Sequence, residues 1–196
     1  MVNIGAPLAG LIDLVKVQDG YLIGFNRGEW GGELYWFSKN GKKRYEISGH
    51  QIVKFIERDN KIYAIAGLAH LWRSNGSVIE IEKKKKKWVA KDFLELPAAP
   101  YAIEHDNKNN FVIITSSGLF SIDRKANIDT LSVNIDTLGM NNVHYIQLPF
   151  GTRGFWGLLY PTSMVIHNDV VYVGMRKGVY KFDLITRKEE WLLPEF

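Results

Sequence analysis

Met164-Val165-Ile166-His167-Asn168-Asp169-Val170-Val171-Tyr172-Val173 and, after a short bend, Gly178-Val179-Tyr180-Lys181-Phe182-Asp183 decide the reading of this chain. An apolar run meets an Asn-Asp turn, a second run follows, and a glycine bend leads into a third that ends on a charge. Val, Ile and Tyr suit a pleated, half-buried surface. Asn and Asp accept the left-handed backbone of a two-residue hairpin turn. The same phrase occurs three more times. Leu14-Val15-Lys16-Val17, Asp19-Gly20, Tyr21-Leu22-Ile23-Gly24-Phe25 and Gly32-Glu33-Leu34-Tyr35-Trp36-Phe37 form the first copy. The second is Ile52-Val53-Lys54-Phe55-Ile56, Asp59-Asn60, Ile62-Tyr63-Ala64-Ile65 and Gly67-Leu68-Ala69-His70-Leu71-Trp72. The third is Tyr101-Ala102-Ile103-Glu104, Asn109-Asn110, Phe111-Val112-Ile113-Ile114 and Gly118-Leu119-Phe120-Ser121-Ile122-Asp123. A unit repeated in this way fixes architecture before any residue suggests chemistry.

Aligned on Ile23, Tyr63, Ile113 and Tyr172, the copies lie 40, 50 and 59 residues apart. A four-stranded propeller blade takes roughly 40 to 50 residues. The long third interval holds Val143-His144-Tyr145-Ile146-Gln147-Leu148 and Phe155-Trp156-Gly157-Leu158-Leu159-Tyr160, read as an insertion or as a degenerate fifth blade. Within each copy the first two strands are the most apolar. The last is charged, as in Lys42-Lys43-Arg44-Tyr45-Glu46-Ile47 and Arg187-Lys188-Glu189-Glu190-Trp191-Leu192. Strands covered on both faces read as continuous apolar runs, so this gradient suits stacked blades better than the alternation of a sandwich. No stretch of ten residues carries a helical period between caps. The expectation is an all-β protein, a β-propeller of four or five antiparallel blades, in one domain over residues 1–196.

The chain has 196 residues, 46% of them apolar, enough for one core. No apolar run approaches the roughly 20 residues of a membrane span, so no membrane partner is expected. The start, Met1-Val2-Asn3-Ile4-Gly5-Ala6-Pro7, shows no secretory signal, and cysteine is absent. A cytosolic protein without disulfides or thiolate chemistry follows as the expectation. Net charge is +4, part of it from Lys83-Lys84-Lys85-Lys86-Lys87. Flanked by Val78-Ile79-Glu80-Ile81 and Trp88-Val89-Ala90, that run reads as a solvated hairpin tip whose lysines discourage edge-to-edge aggregation. A nucleic-acid partner is not expected, since stacking rings do not interleave with the charge.

The repeats resemble those of small β-propeller proteins, in the broad sense that includes WD-repeat, kelch-like and lectin-type propellers. The closing elements Gly118 to Asp123 and Gly178 to Asp183 carry the likeness most closely. No copy ends in Trp-Asp, and the glycine doublet of kelch strands occurs once only, at Gly31-Gly32. The resemblance implies an architecture and no particular activity.

Catalytic signatures are missing: no Gly-x-Ser-x-Gly elbow, no Walker loop and no His-Glu-x-x-His. His50, His70, His105, His144 and His167 are scattered, so neither a metal site nor a cofactor is expected. Acids at an axial mouth would suit a glycosidase, with Asp13, Glu33, Glu104 and Asp123 as candidates, but no spacing singles out a pair. Asp123 and Asp183 hold equivalent repeat positions, which favours a turn role for both. Two glycine-rich loops offer anchors for binding instead. One carries Arg27 and Trp30, the other Arg153, Phe155 and Trp156, the residue types that dominate binding hot spots. The functional expectation is a non-enzymatic protein-binding propeller, an immunity or inhibitor protein that occludes a toxin domain. Rival readings are a lectin-type propeller and a glycoside hydrolase or lyase.

Overall fold

The structure, a computed structural model, describes residues 8–70, 73–133, 146–147, 153–154, 160–176 and 178–193. It is nearly all-β. Four antiparallel sheets of four strands each account for most of the described residues, an organisation compatible with a four-blade propeller-like arrangement. The chain divides into two compact units, Met1–Glu95 and Leu96–Phe196. Among the described residues no helix is long and apolar enough to cross a membrane.

The first unit holds two sheets, each a meander in chain order. Sheet one runs β1 (Leu11–Val17), β2 (Gly20–Asn26), β3 (Gly32–Ser38), β4 (Arg44–Ser48). Sheet two runs β5 (Ile52–Arg58), β6 (Lys61–His70), β7 (Arg73–Lys84), β8 (Lys87–Leu96). The second unit repeats the plan. Sheet three is β9 (Pro100–His105), β10 (Phe111–Thr115), β11 (Gly118–Ile122), β12 (Ile128–Val133). Two short strands, β13 (Ile146–Gln147) and β14 (Arg153–Gly154), pair with each other inside the expected insertion. Sheet four is β15 (Ser163–His167), β16 (Val170–Met175), β17 (Gly178–Asp183), β18 (Glu189–Leu192).

Turn chemistry sets these registers. Asp59 and Asn60 both sit at positive φ (53° and 61°), as do Asn168 and Asp169 (48° and 60°). Two such residues in succession give the turn whose twist matches its flanking strands. At three other connections an aspartate collects backbone N–H groups. Asp123 Oδ1 accepts from Lys125 N and Asn127 N, both at 2.8 Å, and Asp106 Oδ1 accepts from Lys108 N and Asn110 N. Asp183 Oδ1 accepts from Ile185 N at 2.9 Å and Thr186 N at 2.8 Å. The turn role read for Asp123 and Asp183 is therefore what the structure shows. The Asn127 amide and N–H hold the Asp123 carboxyl below its usual range, and the Thr186 N–H does the same for Asp183.

In the second copy the expected third run is corrected. Gly67 to His70 continue β6, and the third strand is β7, paired with it as far as His70↔Arg73. The physical reason is the Gly67↔Gly76 pair. Two facing glycines impose no side-chain crowding, so the hairpin runs on as a ribbon past the bend that one glycine would signal. Leu71 and Trp72 lie outside the described residues.

The core of the first unit forms where sheet one packs on sheet two. Val17, Leu22, Leu34, Ile52, Phe55, Ala64, Ala66, Ile79 and Ile81 are buried there, with Trp36 and Trp88 packed against them. The register puts Val17, Leu22, Leu34 and Trp36 on one face, which is the period of two expressed as packing. Gly24 lets the sheets close: a Cβ on it would come within 2.3 Å of Ile52 Cβ. Asp13 Oδ2 accepts the Phe55 N–H at 2.6 Å, a charge-assisted bond from β1 to β5. In the second unit sheets three and four enclose Ala102, Val112, Ile114, Leu119, Met164, Val171, Val173, Met175, Tyr180 and Phe182. All five residues of β10 are buried, so this strand is covered on both faces, as its unbroken apolar run requires.

Trp88 and Asp19 tie the strand ends of the first unit. Asp19 accepts from Lys83 Nζ at 2.8 Å and from Trp88 Nε1 at 3.1 Å, and Trp88 N donates to Tyr45 Oη at 2.7 Å. Partial burial pushes the Asp19 carboxyl up. The hydrogen bonds from Lys83 and Trp88, with the Lys83 charge, outweigh it and set the carboxyl below the ordinary 3.8. A carboxyl depressed on folding adds stability that is full above its unfolded value and is lost as pH falls through the folded one. Urea unfolding at successive pH values below 4 is expected to show a shallower acid loss for Asp19→Asn than for the native chain.

Candidate functional site

The loop between β2 and β3 presents the most exposed tryptophan among the described residues. A three-residue 3-10 turn, Gly28–Trp30, follows Arg27. Arg27 N donates to Gly31 O at 2.9 Å and Gly31 N to Gly28 O at 3.1 Å, closing the loop on itself. Gly31 lies at φ +90°, a conformation that costs a side-chain-bearing residue energy. Asn26 Oδ1 accepts the Gly28 N–H at 2.9 Å, and Gln51 Nε2 donates to Gly28 O. His70 Nε2 stands 3.2 Å from Glu29 Oε2, linking the loop to the end of β6. Trp30 is 77% exposed at the tip. The indole is thus left in water on a loop whose backbone is held at four points, Arg27 N, Gly31 N, Gly28 N and Gly28 O.

Arg27 does not share that exposure. It pairs with Glu33, both side chains largely covered. Arg27 Nε and Glu33 Oε2 have no hydrogen-bond partner, so one contact holds the pair in place of a bidentate fork. Arg27 braces the loop and Trp30 projects from it. Arg153 lies on β14, but its side chain, with Phe155 and Trp156, is outside the described residues. The structure brings Arg27 and Trp30 together and leaves the second loop undescribed.

Beside the Trp30 loop the first unit opens into a cleft of about 450 Å³. His50, Gln51, Asn75, Asp92 and Glu95 supply its polar groups, and Gly67 and Gly76 leave its floor as bare backbone. Gln51 belongs to both features, lining the cleft while holding Gly28. His50 spans two strands: its Nδ1 is 2.9 Å from Ser48 Oγ and its Nε2 is 3.4 Å from Asp92 Oδ1. Apart from His50, no local pattern marks these residues, and Asn75-Gly76 has the composition of a turn. Their clustering depends on the extended β6–β7 ribbon.

The other candidates have structural partners. Asp13 holds Phe55 N, Glu33 holds Arg27, and Asp123 holds its own turn. The ring of His105 tilts against Phe111 at 5.4 Å, while His144 lies outside the described residues. Among the described residues no three His, Cys, Asp or Glu side chains are grouped to hold a metal ion.

No family model matches the chain, and no curated protein matches it. Solved structures do resemble it. The extracellular domain of BT4673 from B. thetaiotaomicron, described as a hybrid two-component system, superposes with a TM-score of 0.42 at 12% identity over 95% of this chain. A second structure, described as the extracellular domain of the one-component system BT4673, gives 0.40 at 12% identity over 93%. The chain spans 28% of the length of each. The cytosolic placement read from the sequence is corrected here: both matched structures are extracellular domains. That placement rested on an absent export signal, which does not locate a protein. TM-scores of this size lend no activity, ligand or partner to the chain.

Proposed function

We propose that this protein is a small propeller-type binding module without catalysis of its own, which neutralises a protein partner in the manner of an immunity or inhibitor protein. The observation that carries the reading is Trp30, 77% exposed on a loop held by Asn26, Gln51, Glu33 and its own backbone. A rigid anchor loses little entropy on docking, and tryptophan leads the residue types found at binding hot spots. The Asp13, Glu33, Asp123 and Asp183 carboxylates all serve structural bonds, which supports a non-catalytic role.

The test is to co-express the protein with the products of its neighbouring reading frames and recover a stoichiometric complex. Trp30→Ala is expected to weaken that complex about 10- to 30-fold, the effect of losing roughly 2 kcal/mol at one hot spot, with an unchanged melting temperature. Undiminished affinity in the variant would remove the reading, as would failure of every neighbour to bind. The cleft favours one other reading, a carbohydrate-binding propeller, because amides beside carboxylates suit sugar hydroxyls. Silence of the native protein on a glycan array would dispose of it.

A further inference from the structure

The end of the first unit opposite Trp30 gathers charge that the sequence holds in two separate places. The β3–β4 turn carries Lys39, Lys42 and Lys43, and the β7–β8 hairpin carries Lys83, Lys84, Lys85, Lys86 and Lys87. Forty residues separate them in the chain, yet one network joins them. Asp19 sits beside Gly20, whose strand partner is Ser38 at the base of the first turn. The same Asp19 accepts from Lys83 and Trp88. Tyr45 accepts from Trp88 N, and Lys87 Nζ stands 5.9 Å from the Tyr45 ring centre. Both turns therefore project from the same end.

The two turns carry eight lysines, and Asp19 and Glu82 are the acids that pair with them, an excess that surpasses the +4 of the whole chain. Two of the lysines are neutralised locally: Lys83 by Asp19, and Lys84 by Glu82 at 3.0 Å. Among the described residues, Lys39, Lys42, Lys43, Lys85 and Lys86 form no ion pair. All five are exposed. Like charges crowded at one end repel one another, and neighbouring acids could have offset them.

We infer that this basic end is a second interaction surface, which docks an acidic face or segment of a protein. Three of the rings here, Trp36, Tyr45 and Trp88, are already in use. Trp36 stacks on Tyr45 at 5.2 Å, Lys87 lies over Tyr45, and Lys83 Nζ is 5.9 Å from the Trp88 ring centre. Bases of a single strand would find these three rings already occupied. The tips also offer no large apolar side chain to a bilayer: Leu11 and Trp30 belong to the opposite end of sheet one. Mobile ammonium groups on two turns suit carboxylates spread along an acidic surface.

The experiment measures fluorescence anisotropy of a labelled peptide of about ten glutamates, with the full chain as titrant. Native protein is expected to bind it, about tenfold more weakly when salt rises from low to physiological strength, since exposed charges are screened within ~8–10 Å. Lys42→Glu with Lys43→Glu should weaken binding about tenfold, Lys85→Glu with Lys86→Glu likewise, and all four together should abolish it. Near-UV circular dichroism of each variant reports folding, and the four-lysine set to glutamine serves should the charge reversals fail to fold. Trp30→Ala should leave peptide binding unchanged, so this surface and the Trp30 reading fail separately. If one lysine pair carries all the binding, the shared surface is refuted. Tighter binding to a single-stranded oligonucleotide of equal charge, or to phosphatidylserine vesicles, would equally overturn the acidic-protein assignment.

Discussion

Phe182→Ala is expected to destabilise the second unit by about 3–5 kcal/mol, the range for deleting a buried aromatic ring. Phe182 is 1% exposed and stacks on Tyr180 with ring centres 6.5 Å apart. Around it stand Val112, Ile114 and Leu119 from sheet three and Met164, Val171 and Val173 from sheet four. Sheets three and four are also tied at the surface, from Ser132 Oγ to Glu189 at 3.1 Å and from Asn107 Nδ2 to Asp169 Oδ1 at 2.7 Å. A cavity and its lost contacts then add to the transfer term. Urea unfolding followed by tryptophan fluorescence reads the change, and a loss under 1 kcal/mol would show that the packing between sheets three and four is looser than described.

Replacing both Lys61 and Lys91 by methionine is expected to lower the stability of the first unit at neutral pH, read as a lower urea midpoint. Glu80 lies in β7 with its side chain only 7% exposed, 3.0 Å from Lys61 Nζ and 3.4 Å from Lys91 Nζ. Removing both cations strands a carboxylate out of water, which costs more than the pair contributes. Solvent moderates the effect, because both ammonium groups are half-exposed and screened. Adding Glu80→Gln to the double variant should recover most of the loss, since a neutral amide needs less compensation. If the triple variant is no more stable than the double one, the cost lies in lost lysine packing instead.

Much of the strand pattern could be read from the residues alone. Asn168-Asp169 and Asp59-Asn60 announce tight turns because few other residues accept positive φ, and the flanking β-branched runs leave those segments little choice but strand. The charged closing strands β4 and β18 were legible for the same reason: Lys, Arg and Glu avoid burial, so they mark exposed edges. The second copy was misread where Gly67 suggested a bend, because one glycine is locally ambiguous. Its meaning came from Gly76 across the ribbon, a pairing with no trace in either local segment.

The candidate site divides in the same way. Trp30 was visible as a large ring among glycines and charges, where no periodic strand could absorb it. Arg27 shared that signal, and the structure gives it a different task, bracing Glu33. Of the cleft residues, His50 stood out only as one scattered histidine, and Gln51, Asn75, Asp92 and Glu95 gave no signal, since each is an ordinary polar residue in its own neighbourhood.

Local preference, propagated four times along 196 residues, determined that this chain would fold as four-stranded antiparallel meanders. Hairpins pair neighbours a few residues apart, so their information sits within reach of a short window. Tertiary packing alone decided which distant side chains share a surface. The cleft beside Trp30 and the joined lysine turns both arise where sheet one meets sheet two, and those contacts span forty residues or more. No local pattern encodes them. They follow from the apolar faces that had to be buried.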